Sequence, residues 1–296
     1  MNAFADELVT AHHREKGLRA VVLTTTTLSR HARDLHQAKP ASASLLAQGL
    51  TGALMLAALQ KGQARLSLQV ECDGPLRGLF ADADTDGNVR GYVKNPAVEF
   101  LGAEGTFQFR PALGNKGYLS VLRDPGQGEF YRSSVDLAAF DLSRDLERYF
   151  HTSDQVESRV ELHVRALEGE PLGQVSGVLL QALPGGDLAA LGSLGEVIRA
   201  RSAALPLDPA RSVSALLGLF VGEEAFEITS RLPLAYQCSC SRERVERALQ
   251  SMGAKGLREI ADEDHQAEVS CEFCMRRYTF DEAALRSLLA QVEQAG

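Results

Sequence analysis

Four of the five cysteines lie beyond residue 237, as Cys238-Ser-Cys240 and Cys271-Glu-Phe-Cys274, with 30 residues between the pairs. Four thiolates at this spacing are enough to close a tetrahedron around one zinc ion per chain, with no corner left for water. A closed thiolate site holds structure together and hydrolyses nothing. The tail therefore reads as a small zinc-binding module, either permanent or sensitive to oxidation of its sulfurs. The fifth thiol, Cys72, falls on the apolar face of an alternating strand and reads as a small core residue.

Elsewhere the patterning is mixed. Ala20–Thr27 is β-branched and strand-like. Pro40 opens an Ala- and Leu-rich helix running to about Lys61. Ala64, Leu66, Leu68, Val70 and Cys72 alternate with polar residues, the period of a half-buried strand. Turn signals then recur at Asp73-Gly-Pro75, Asp86-Gly-Asn88, Asn95-Pro96, Gly114–Gly117 and Asp124-Pro-Gly126. Between them lie short apolar runs such as Val89–Val93 and Tyr118–Leu122. Asp141–Phe150 reads as a helix, Val156–Ala166 and Gly177–Leu183 as strands. This is a strand-rich meander without a repeated βαβ pattern, and the expected class is α+β.

The expected organisation has three parts: a mixed core over 1–184, a helical linker over 185–236 and the zinc module over 237–296. The linker holds a short helix around Ala189–Ile198, a break at Pro206 and Pro209, and an apolar run containing Leu216, Leu217, Leu219, Phe220 and Val221. Such short pieces cannot own a core and must lean on a neighbour. In the tail, Ser241 caps a helix through Gln250, with Val245, Ala248, Leu249 and Met252 on one face, and Gly253 and Gly256 interrupt it. Tyr278 and Phe280 suit a strand, and Asp281 starts a last helix.

Charge narrows the partners. The net charge is −8, and from Cys238 onward 8 Lys/Arg face 11 Asp/Glu. Nucleic acid is disfavoured, since phosphate backbones select basic surfaces. Ala41–Gln60 carries no charge but includes Ser42, Ser44, Gln48 and Thr51, so a buried helix is expected rather than a membrane span. The first residues lack a basic segment followed by an apolar run, which argues against export and for the reducing cytoplasm. Cysteines there serve as ligands or redox groups more often than as structural disulfides.

Three functions remain open at this point. An adaptor would keep its zinc permanently. A thiol oxidoreductase would use Cys271 and Cys274, although the C-x-x-C precedes a strand rather than opening a helix as in thioredoxin-type sites. A switch would exploit the nucleophilicity of the thiolates toward oxidants. Structural zinc supplies about 10–16 kcal/mol to small modules, against about 5–15 kcal/mol of net stability for a whole domain. Loss of the metal would therefore unfold the module, loosen a linker docked through it and uncover apolar surface that captures unfolded chains.

The chain resembles the redox-regulated heat-shock holdases, the thirty-three-kilodalton heat shock protein family of bacteria, over essentially its full length. The resemblance is carried by Cys238-Ser-Cys240-Ser-Arg-Glu-Arg244, by Cys271-Glu-Phe-Cys274 with Tyr278 and Phe280, and by Gly87–Val93, Asn95-Pro96, Gly117–Val121 and Leu179–Gly185. One segment departs: Tyr149–Ser158 lacks the Pro-Thr of the family's Ser-Glu-Gln-x-Pro-Thr run. The resemblance implies a chaperone independent of ATP and not an enzyme, inactive while reduced and zinc-bound. It implies that oxidation pairs Cys238 with Cys240 and Cys271 with Cys274, releases zinc and unfolds tail and linker. It further implies an active homodimer that binds unfolding client proteins and hands them to ATP-driven foldases. The apolar linker residues Leu216, Leu217, Leu219, Phe220 and Val221 are the candidate client contacts.

Overall fold

The protein is represented by a computed structural model, which describes residues 6–99, 109–126, 128–204, 208, 211–222 and 226–295. The first five residues and the break at Pro206 and Pro209 lie outside the described residues. The chain divides into two compact units, Met1–Gln237 and Cys238–Gly296.

The first unit begins with β1 (Glu7–His13), β2 (Leu18–Thr24), α1 (Thr26–His36) and α2 (Pro40–Ala57). The meander β3 (Arg65–Cys72), β4 (Gly78–Asp84) and β5 (Asn88–Val93) follows, then the single turn α3 (Arg110–Leu113), β6 (Gly117–Asp124) and β7 (Tyr131–Asp136). Next come α4 (Leu142–Tyr149), β8 (Ser158–Leu167), β9 (Glu170–Ala182), α5 (Leu188–Ala203) and α6 (Val213–Val221). Two strands, β10 (Glu227–Pro233) and β11 (Ala235–Tyr236), end the unit. One sheet has the order β10-β1-β2-β9-β8 and the other β11-β5-β4-β3-β6-β7. Strands and helices mix without βαβ repeats, and the class is α+β.

α2 explains the charge-free stretch. It is long and apolar enough to span a membrane, yet 94% of it is buried inside the fold. It packs on β2, β8 and β9 of one sheet and on β3, β4 and β5 of the other. A helix with apolar neighbours on both sides needs no polar face. Close approach requires glycine: a Cβ on Gly49 would stand 2.7 Å from a Leu79 methyl, and one on Gly177 would stand 2.3 Å from the Met55 methyl. The predicted alternation of β3 holds, with Leu66, Leu68 and Val70 buried, while Cys72 is only half-buried at the strand end.

Several elements differ from expectation. Thr25–Thr27 leaves the strand and α1 begins at Thr26, because the carboxylate of Asp6 accepts the backbone N–H groups of Thr27 and Leu28 at 3.2 and 2.6 Å. A remote residue thus caps the helix, which local sequence does not reveal. α5 extends to 16 residues, Asp187 capping its start through the N–H of Ala190. β10 and β11 escape sequence reading because they are exposed edge strands with little alternation; β10 joins β1 antiparallel and β11 joins β5 parallel.

α5 and α6 cover the sheet face opposite α2. Val9, Ala11, Leu18, Ala20, Val22, Val178 and Leu180 pack there against Leu191, Ile198, Leu216, Leu217 and Phe220. The candidate client residues Leu216, Leu217, Phe220 and Val221 are therefore buried, and Leu219 is partly so.

Candidate metal centre

The second unit contains α7 (Arg242–Gln250), α8 (Gly253–Glu259), the hairpin β12 (Gln266–Ser270) and β13 (Arg277–Asp281), and α9 (Glu282–Ala295). Its core is small: Leu249, Leu257, Ala261, Tyr278, Phe280, Leu285, Leu288 and Leu289. Met252, expected on the inner helix face, is exposed, since Gly253 with φ +78° turns the chain just after it. Gly256, expected to break the helix, lies inside α8.

The two cysteine pairs sit in different local structures. Cys238 and Cys240 precede α7, whose first turn Ser241 caps by accepting the N–H of Arg244. Cys271 and Cys274 form the turn between β12 and β13. There the N–H of Cys271 donates to Arg276 O at 2.9 Å and that of Met275 to Cys271 O at 2.8 Å, with Met275 at φ +55°. A strand follows the C-x-x-C, not a helix, so the backbone context of a thioredoxin-type catalyst is absent here.

The tertiary fold brings all four sulfurs together. Their Sγ atoms lie within 4.8 Å of one another. Cys238 and Cys271 are 3.7 Å apart and Cys240 and Cys274 are 3.2 Å apart. Metal–sulfur bonds of about 2.3 Å in a tetrahedron put sulfurs about 3.8 Å apart. The cluster thus has the dimensions of a four-thiolate metal site. His265 stands apart from it, paired with Glu282 at 3.3 Å on the surface. None of the five cysteines is in a disulfide, and Cys72 belongs to the other unit.

The thiols are electrostatically unequal. Burial opposes ionisation of Cys240, but hydrogen bonds from the Tyr278 hydroxyl and the neighbouring thiols outweigh it and draw Cys240 down to about 7. Cys274 is pushed up to about 12, by burial first and then by its donation to the other sulfurs. Burial also raises Cys271, although the N–H groups of Cys274 and Phe273 point at its sulfur and favour the thiolate. Cys240 ionises readily, whereas Cys271 and Cys274 resist losing a proton until a cation is present to share the charge.

A supporting shell surrounds the sulfurs. The Tyr278 hydroxyl donates to Cys240 Sγ at 3.1 Å. Arg244 donates to Ser239 Oγ at 2.7 Å, between the first two cysteines. Arg242 lies 4.3 Å over the Phe280 ring and donates to Thr279 O. Sequence reading assigned Tyr278 only to a strand; the alternation that buries it with Phe280 was visible, but its reach to a cysteine 38 positions away was not.

Comparison with known proteins agrees with this architecture. The family model described as "Hsp33 protein" matches residues 6–281. A protein of Geobacter sp. (strain M21) called "33 kDa chaperonin" is 34% identical over 292 residues, covering 97% of this chain and 98% of its own. A protein of the same name from Listeria monocytogenes (serovar 1/2a) is 31% identical over 301 residues, covering 98% of this chain and 100% of its own. The crystal structure of the 33 kDa chaperonin (heat shock protein 33 homolog) of Thermotoga maritima superposes with a TM-score of 0.84 at 26% identity, over 98% of this chain and 99% of that one. With a family model spanning both units and relatives aligned end to end, the chain belongs to the Hsp33 family.

Proposed function

We propose that this protein is a redox-regulated, ATP-independent chaperone of the cytoplasm that holds unfolding proteins and prevents their aggregation. The observation that carries the reading is the convergence of four sulfurs within 4.8 Å, contributed by two segments of a module with a small core. Zinc bound by Cys238, Cys240, Cys271 and Cys274, one ion per chain, would hold the sulfurs as thiolates and supply folding free energy on the order of 10 kcal/mol. The module's own apolar core is too small to replace that amount.

Oxidation removes the ligands. In each pair, Cys238 with Cys240 and Cys271 with Cys274, one thiolate attacks a peroxide oxygen and becomes a sulfenic acid, releasing hydroxide. The second thiolate then displaces a further hydroxide from that sulfur and forms the disulfide. Two electrons pass to each peroxide, which ends as water once the hydroxides are protonated. The disulfides close very small loops and restore little stability.

The client surface is then the apolar face that α6, with α5, now buries against the sheet. Three polar atoms weaken that packing: His163 Nε2, Ser176 Oγ and Ser202 Oγ are buried without a hydrogen-bond partner. Each such group costs about 1–3 kcal/mol. His163 and Ser176 are direct partners across β8 and β9, and His163 stacks on Phe220. A linker held over unsatisfied polar groups is poised to leave, exposing Leu216, Leu217, Leu219, Phe220 and Val221 to clients. In the active state we expect a homodimer that passes clients to ATP-driven foldases.

Light scattering of a heat-unfolding client, with reduced and oxidised protein side by side, tests the proposal. Protection only by the oxidised form is expected. Equal protection by the reduced form refutes the switch. A protein inactivated by oxidation is an adaptor with permanent zinc, and one that turns over a disulfide substrate while retaining its metal is an oxidoreductase.

A further inference from the structure

Tyr278 faces two ways. Its ring is buried among Leu249, Leu285 and the rest of the small core, while its hydroxyl donates to Cys240 Sγ at 3.1 Å. The exposed guanidinium of Arg276 lies in the electrostatic field of the same oxygen and of Cys240 and Cys274. The other sulfurs have different company: Cys271 accepts backbone N–H groups of its own turn, and Cys274 that of Arg276. Those bonds belong to the hairpin turn and persist with any side chain. The bond to Cys240 exists only because residue 278 carries a hydroxyl.

We propose that Tyr278 is a positioning residue for the redox reaction, its hydroxyl holding the Cys240 sulfur in place and damping its reactivity toward peroxide. The proposal rests on the redox reading given above. When all four sulfurs are ligands they are thiolates whatever their neighbours. The hydrogen bond then cannot change how much thiolate is present. It changes how available the lone pair is. A thiolate whose charge is drawn into an O–H bond is a poorer nucleophile toward peroxide oxygen, and a Brønsted slope of about 0.4–0.5 converts a moderate loss of basicity into roughly three- to tenfold in rate. The same bond fixes the rotamer of Cys240, which must turn toward Cys238 before a disulfide can close.

The test uses the reduced, zinc-loaded full chain and its Tyr278→Phe variant, which keeps the buried ring and removes the hydroxyl. Both are treated with hydrogen peroxide at pH 7, and each cysteine pair is followed separately by differential alkylation and peptide mass spectrometry. The Cys238–Cys240 pair of the variant is expected to oxidise roughly three- to tenfold faster, with the Cys271–Cys274 pair within about twofold of the parent. Arg276→Gln alters only an exposed side chain and is expected to accelerate the same pair by a smaller factor; it carries the test if Tyr278→Phe fails to fold. Unchanged rates in a folded variant, or equal acceleration of both pairs, overturn the proposal, the latter by showing mere loosening of the module. A parent chain that forms neither disulfide removes the redox reading and this proposal with it; one that forms both while the variants behave identically removes this proposal alone.

Discussion

The imidazole of His163 lies nearly parallel to the ring of Phe220, with 6.4 Å between centroids and 15° between planes. It joins the sheet edge to the largest fully buried side chain of the candidate client segment. Burial first, and then the charge of Arg165, lowers the imidazole to about 4. An unfolded histidine titrates near 6.5. The released side chain therefore binds a proton that the packed one refuses, and packing loses stability as pH falls from about 6.5 to 4, with no further loss below that. At pH 5 roughly 2 kcal/mol should have gone. Urea midpoints of the parent and of His163→Phe, measured at pH 7 and pH 5, should diverge, the parent losing more on acidification. Parallel losses would show that His163 does not titrate as argued.

Asp6 should act with the opposite sign. Burial raises its carboxyl to about 6, against the N–H groups of Leu28, Thr27 and Thr26 and the charge of Arg30. The folded chain keeps a proton that the unfolded chain gives up above about 3.9. This contribution is present at low pH and fades as pH rises through 6. Between pH 4 and 6 it offsets part of the His163 slope. Asp6→Asn retains an oxygen for the α1 cap and should make the acid loss steeper than in the parent. A flatter acid limb in the variant contradicts the assignment.

Phe220→Ala should uncouple the linker from the metal. Phe220 is fully buried between α6 and the sheet, and truncation of such a ring costs about 3–5 kcal/mol. The deficit falls on packing already weakened by three unpartnered polar atoms. The reduced variant should suppress client aggregation partially without oxidant while its metal content stays at the parent level. A reduced variant as silent as the parent would mean that α6 does not gate client binding.

Much of this could be read from the chain, and the gaps have physical causes. The uncharged α2, the alternating β3 and the capped α7 follow from local patterns, because each buries its own regular face. Asp6 capping α1 and Tyr278 reaching Cys240 are contacts across long sequence separations, so no window around either residue contains them. β10 and β11 are edge strands whose partners dictate them; Glu227–Pro233 exposes most of its side chains, leaving no period to find. The four cysteines were legible as a group because soft ligands in paired spacing have few other uses, whereas the shell that tunes them was not.

Metal removal should separate the two units. The eight buried apolar residues of the second unit's core, among the described residues, are too few for independent stability, whereas the first is built around α2 with sheets on both sides. Chelation of the reduced protein should therefore melt Cys238–Gly296 while β1–β9 stay protected in hydrogen exchange. The same should follow from Cys240→Ser, since a hydroxyl is a poor zinc ligand and structural sites close only with all four donors. The variant should bind zinc at least tenfold more weakly and lose exchange protection at Tyr278 and Phe280. Strands β10 and β11, which run directly into Cys238, should show intermediate protection. If the tail keeps its protection after complete chelation, the thiolate cluster is not what holds that module folded, and a switch built on losing it has no lever.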